Sequence, residues 1–238
     1  MRRIRGLALG TYYAKGAEAA RATPNASQVR GLVYAVKDNR VPPNPKQSIQ
    51  HRLHPIGRPV QVDRTNAIEY VTAMLANRID RLTKFFKAED PDAITLVPVP
   101  SSSVTAATIQ TARFRTLRLC NALAGVGFGH VAVLAVQRKP VEGKTKGNRR
   151  TADQILAGLA RTSTPVPRGT TLVIVDDNVQ SGASIAALDK LLGASKPTAA
   201  FAVAVTDSQP YADAAKARRF TIEYDETADI LDVSCTLG

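Results

Sequence analysis

Residues 170–184 read TTLVIVDDNVQSGAS, and this stretch decides the fold. Leu172, Val173, Ile174 and Val175 are consecutive apolar residues, mostly β-branched, without the polar alternation of a half-exposed strand. Such a run fits a strand covered on both faces. Asp176 and Asp177 follow, then a short loop, Gln180, Ser181, Gly182, Ala183 and Ser184, and then an apolar-periodic segment, 185–192, that predicts a helix. In open α/β sheets the ligand crevice lies outside the C-terminal ends of the strands. Two carboxylates there can accept hydrogen bonds from the vicinal hydroxyls of a ribose. A glycine turn at a helix N-terminus gathers backbone N–H groups, with the Ser181 and Ser184 hydroxyls, into a cradle suited to a phosphate. Vicinal hydroxyls beside a phosphate describe a 5-phosphoribosyl group. The plainer alternative is an ordinary strand-turn-helix connection with a serine cap.

VIVDDNVQSGAS resembles the 5-phosphoribosyl diphosphate (PRPP) signature of type I phosphoribosyltransferases. That signature has four apolar residues, two acids, a variable stretch and then Thr/Ser-Gly-X-Thr/Ser. Serines stand here where threonines are commoner, and Asn178 where an apolar residue is usual. The resemblance implies that Asp176 and Asp177 bind the ribose hydroxyls and serve catalysis. It gives the 5-phosphate to Gln180, Ser181, Gly182, Ala183 and Ser184.

Upstream, residues 93–99 (AITLVPV) form a second buried-strand candidate, ending at Pro100, Ser101, Ser102 and Ser103 before a helix expected over 106–124. A serine-rich turn there offers hydroxyls and N–H groups at a helix N-terminus. Residues 131–136 predict a third strand. A Gly- and Lys-rich basic stretch follows it, then a helix over 151–159. The PVP strand end followed by a helix carrying Arg113 is similar to the ComF-like branch of the family. By that resemblance Ser101, Ser102 and Ser103 contact diphosphate, with Arg113 assisting. The basic stretch then takes the place of a lid that closes over the site, with Arg138, Lys139, Lys144, Lys146, Arg149 and Arg150 as candidate cations for the leaving diphosphate. The bland readings are a serine cap and a solvated basic loop. ComF-like proteins usually carry an N-terminal zinc ribbon of cysteines; this chain holds only Cys120 and Cys235.

The remaining segments complete an α/β pattern. Residues 63–87 predict one amphipathic helix, capped by Asp63 or Thr65, with Ile68, Val71, Leu75, Ile79, Leu82 and Phe86 on one face. Strands are expected over 4–13, 198–206 and 220–224, and a short basic helix over 212–219. Residues from 225 onward read as an acidic tail or a final edge segment. Residues 1–60, rich in proline from Pro42 to Pro59, read as a cap or arm, in which His51 and His54 are exposed loop histidines. The fold expected is α/β, a parallel sheet with helices on both faces, plus this N-terminal appendage. Its phosphoribosyltransferase-like domain would span 61–238, with the resemblance covering 93–224.

Net charge is +12, with 44% apolar and 22% charged residues, the balance of a soluble globular protein. No apolar run approaches the ~20 residues that span a bilayer. The basic start is followed by too short an apolar run for a signal-peptide core, and the two cysteines imply no disulfide framework, so a cytoplasmic protein is expected. The charge suits either nucleic acid or a polyanionic small molecule. There is no Trp, and aromatics make up 5%, which gives little stacking surface for single strands. The function the resemblance implies is transfer of the phosphoribosyl group from PRPP, with Mg²⁺, to a nitrogenous acceptor that the sequence does not name. The rival is a non-catalytic module that senses PRPP or a nucleotide, or handles single-stranded DNA. Nucleic acid and a second copy of the chain are left open as partners; a membrane is not expected.

Overall fold

The computed structural model describes residues 1–13, 24–37, 47–110, 114–140, 150–166, 168–193, 197–207 and 216–238. The apolar run of residues 172–175 lies in the long strand β8 (Thr171–Val179); the chain before it forms β1 (Arg2–Tyr13), α1 (Pro24–Val36), β2 (Gln47–Ile49), β3 (Val60–Val62), α2 (Ala67–Ala76), α3 (Ile79–Phe86), β4 (Ile94–Pro98), α4 (Arg115–Gly125), β5 (His130–Val131), β6 (Ala135–Gln137), α5 (Ala152–Gly158) and β7 (Leu159–Arg161). After β8 come α6 (Ala183–Leu192), β9 (Thr198–Asp207), β10 (Arg218–Tyr224) and β11 (Val233–Leu237).

Seven strands make the main sheet in the order β11-β10-β1-β9-β8-β4-β5. The five strands from β1 to β5 in that order pair in parallel, whereas β10 pairs antiparallel with both β1 and β11. Both faces are covered, as consecutive apolar strand residues require. One face buries Val173, Val175 and Phe201 against α1, α2, α3 and α4. The other buries Leu172, Ile174 and Ala200 against α5 and α6.

Several expectations are corrected. Residues 1–60 are not a separate cap among the described residues: β1 lies inside the main sheet between β9 and β10, and α1 packs beneath it. Its run Leu7-Ala8-Leu9-Gly10 is small and apolar enough to be enclosed on both sides. The helix over 63–87 is two helices, broken at Asn77 and Arg78, and Asn66 rather than Asp63 or Thr65 is its N-cap residue. The strand over 131–136 splits, so that β5 joins the main sheet while β6 pairs with β7 in a separate two-stranded sheet. The expected helix over 212–219 lies partly outside the described residues, and Arg218 and Arg219 already belong to β10. Beyond 225 the chain returns as the edge strand β11. No described helix is long and apolar enough to cross a membrane.

Candidate functional site

In sequence order β4 leads to β5 on one side of the sheet, and β8 leads to β9 on the other. The boundary between β4 and β8 is therefore a topological switch point, where open α/β sheets bind ligands. Pro98, opposite Val175, is the last paired residue of β4, and Pro100 follows two positions later. Proline cannot extend a ladder, so β4 leaves the sheet here. β8 continues along β9 alone, with Asp176 opposite Ala202 and Asn178 opposite Ala204. The carboxylates thus stand where one neighbouring strand has departed.

The two acids have different surroundings. Asp176 accepts a hydrogen bond from the Asp177 backbone N–H at 2.8 Å. Burial, and then the adjacent Asp177 charge, push its carboxyl above the usual carboxylate range, against the opposing pull of Lys37 and nearby backbone N–H groups. Asp177 Oδ1 lies 2.9 Å from Lys37 Nζ, just beyond the last turn of α1. Asn178 Nδ2 donates to Thr206 Oγ1 at 3.2 Å and ties β8 to β9 beside the acids.

The loop after β8 bends through Gln180, Ser181 and Gly182 and enters α6 at Ala183. The Ala183 N–H donates to Ser181 Oγ at 3.4 Å, and the Ala186 N–H closes the first helical bond on Gly182 O at 2.9 Å. The N–H groups of Ser184 and Ile185 have no acceptor within the helix, and the first turn holds no acidic residue. Positive backbone potential therefore faces the strand ends. Gly182 itself is required for another reason than an open cradle: at φ 78° a Cβ would point at Ile222, not toward the loop.

Ser101, Ser102 and Ser103 do not sit at a helix N-terminus, because α4 begins only at Arg115. They form a tight turn closed by the Val104 N–H on Ser101 O at 3.1 Å. This turn begins next to the acids, since the Val99 N–H donates to Val175 O at 2.9 Å. It is also braced from two elements. Thr116 Oγ1 donates to Val99 O at 2.6 Å, and Gln137 donates its backbone N–H to Val104 O at 2.7 Å and its Nε2 to Pro100 O at 3.4 Å.

Arg138 and Lys139 are exposed just past β6, next to this brace, and Arg150 precedes the capping box that starts α5. Lys144, Lys146 and Arg149 lie outside the described residues, as does Arg113. Among the described residues no group of three or more His, Cys, Asp or Glu side chains converges to hold a metal.

Sequence reasoning missed two contributors. In the sequence Lys37 only follows the apolar run of residues 29–36, and Gln137 only follows the strand expected over 131–136. The histidines are also corrected: His51 and His54 are 3% and 8% exposed. His51 Nε2 donates to Leu9 O on β1 while its Nδ1 accepts the Leu53 N–H at 3.0 Å, and His54 stacks on Tyr70. Compared with known proteins, the chain matches no family model and no curated protein.

Proposed function

We propose that the protein is a phosphoribosyltransferase that binds PRPP and moves its 5-phosphoribosyl group to a nitrogenous acceptor, releasing diphosphate. The observation that carries this reading is the placement of Asp176 and Asp177 at the switch point, with the N-terminus of α6 a few residues on. The type I resemblance of VIVDDNVQSGAS supports the same assignment. Ribose hydroxyls donate to the two carboxylates. The 5-phosphate accepts from the N–H groups of 184–185 and the hydroxyls of Ser181 and Ser184. Diphosphate lies along the braced turn of Ser101, Ser102 and Ser103. The C1–oxygen bond breaks with its electron pair leaving on diphosphate, and the acceptor nitrogen forms the new bond to C1. The carboxylates stabilise positive charge that develops on the ribose ring.

Two carboxylates, one already engaged by Lys37, suit a Mg²⁺ ion that arrives on the substrate and is held through PRPP oxygens and water rather than by a protein cage. That ion supplies charge neutralisation on the diphosphate. Calorimetric titration with PRPP, with and without Mg²⁺, tests the reading. Mg²⁺-dependent binding that is lost in Asp177→Asn supports it, and a folded protein that binds no PRPP refutes it. The net charge of +12 favours a second reading, a ComF-like handler of single-stranded DNA. Oligonucleotide binding with a steep salt dependence and no response to PRPP would select that one.

A further inference from the structure

The ammonium of Lys37 lies 2.9 Å from Oδ1 of Asp177, a carboxylate that, on the phosphoribosyl reading, receives a ribose hydroxyl. The pair is partly shielded, with side-chain exposures of 26% for Lys37 and 17% for Asp177. Ion pair and bound ribose therefore draw on the same carboxylate. The base of Lys37 is fixed, because Val29, Leu32, Val33 and Val36 of α1 are buried against the sheet. Its stem is flexible and its head is a compact charge with three donors. The braced serine turn starts one strand away from the acids, where the Val99 N–H meets Val175 O at 2.9 Å, and adjacent strands lie about 4.8 Å apart. A swing of the lysine stem covers such a spacing without movement of the helix.

Resting on the phosphoribosyl reading, we infer that Lys37 is a specificity-determining residue: it neutralises Asp177 in the ligand-free protein and passes to the diphosphate when the ribose hydroxyls take Asp177. A diphosphate carries more negative charge than one carboxylate, so the ammonium gains a stronger partner in exchange. A ligand with ribose and 5-phosphate but no diphosphate displaces Lys37 from Asp177 without supplying that stronger partner. Lys37 therefore favours PRPP over ribose 5-phosphate, its own precursor and breakdown product.

The test is calorimetric titration of the full chain with each of these two ligands, both with Mg²⁺, for wild type, Lys37→Met and Lys37→Arg. Lys37→Met is expected to weaken PRPP about tenfold while tightening ribose 5-phosphate about threefold; Lys37→Arg keeps most of the preference. Opposite signs for the two ligands are the diagnostic, since a strut that only supports the fold would weaken both. Changes in the same direction, or none, overturn the inference and leave the phosphoribosyl reading standing. A wild type that binds neither ligand overturns both. Should Lys37→Met fail to fold, Lys37→Gln, which keeps a hydrogen bond without the charge, is read by the same two titrations.

Discussion

Gly182 lies so close to Ile222 of β10 that a Cβ on it would stand 2.7 Å from Ile222 Cγ1. Its φ is 78°, so an L side chain there is strained as well as crowded. The turn that opens α6 is thus held by packing against the far side of the sheet, and Gly182→Ala is a stability variant first and a binding variant second. Left-handed backbone costs roughly 1–2 kcal/mol for a residue with a Cβ, and overpacking adds roughly 1–3 kcal/mol. Urea unfolding should show a loss of about 2–5 kcal/mol. In Gly182→Ala/Ile222→Ala the crowding is relieved while the backbone strain stays, so the double variant should be less destabilised than the sum of the singles. Strict additivity would show that Ile222 does not set the glycine requirement.

Asp176 places stability and binding in opposition. Its carboxyl holds its proton to higher pH in the folded protein than in the unfolded chain, because burial and Asp177 disfavour the anion. The folded state therefore binds more protons through this group. Its contribution is fully present below the ordinary carboxylate range and is lost as pH rises through the raised folded value. Asp176→Asn removes the penalty, and should stabilise the protein at pH 8 by on the order of 1–3 kcal/mol while removing PRPP binding. At pH 3 the two proteins should differ little. Urea midpoints at both pH values decide it; a variant that gains nothing on going to pH 8 contradicts the assignment.

These acids were legible in the sequence for a physical reason. Consecutive Leu172, Val173, Ile174 and Val175 cannot alternate between core and water, so a doubly covered strand was the only economical home for them, and the polar residues after it had to emerge at its end. The same logic located β4 and β9. It found β1 as a strand but not its place between β9 and β10, which depends on pairing with residues about 200 positions away. It failed for the helix break at Asn77, since Leu75, Ile79 and Leu82 keep helical spacing across two segments. It failed for Lys37, because nothing local to an apolar helix end says which carboxylate its last lysine meets. His51 looked like a loop residue among prolines. Its ring is instead buried and bonds the Leu9 carbonyl, on a strand that passes beyond Ala8, the last β1 residue paired with β10.

That contact makes His51 a source of acid sensitivity. With Nδ1 accepting from the Leu53 N–H and Nε2 donating to Leu9 O, the ring is bonded as a neutral imidazole. Burial pushes its pKa down; the Leu9 carbonyl opposes this, and nearby His54 adds to it. A depressed histidine contributes stability that is present above the unfolded value near 6.5 and is lost as pH falls through the lower folded value. Wild type should therefore lose unfolding free energy between pH 7 and pH 5. His51→Gln, which can still donate to Leu9 O but does not titrate, should be less stable than wild type at pH 8 by about 1–2 kcal/mol. It should also show a flatter pH profile. A profile as steep as that of wild type would assign the acid sensitivity elsewhere.

At the N-terminal end of the same strand, buried Asp189 of α6 collects three donors: Arg2 Nε at 2.9 Å, Arg2 Nη2 at 3.3 Å and the Tyr224 hydroxyl at 2.7 Å. Arg2 Nη2 also reaches Thr198 Oγ1 at 3.1 Å, so one guanidinium joins β1, α6 and β9. Asp189 is 1% exposed, and an acid so buried depends on its partners rather than on water. Tyr224→Phe removes one donor of three and should cost about 1–2 kcal/mol. Arg2→Met removes the countercharge and should cost about 3–5 kcal/mol, because the aspartate is left buried without compensation. The pair itself has no such value relative to an apolar replacement. Arg2→Met/Asp189→Leu should therefore be more stable than Arg2→Met alone, a reversal that chemical unfolding of the two variants detects. If the double variant is instead the less stable of the two, the network is contributing net attraction and α6 depends on the charges themselves, not merely on their mutual neutralisation.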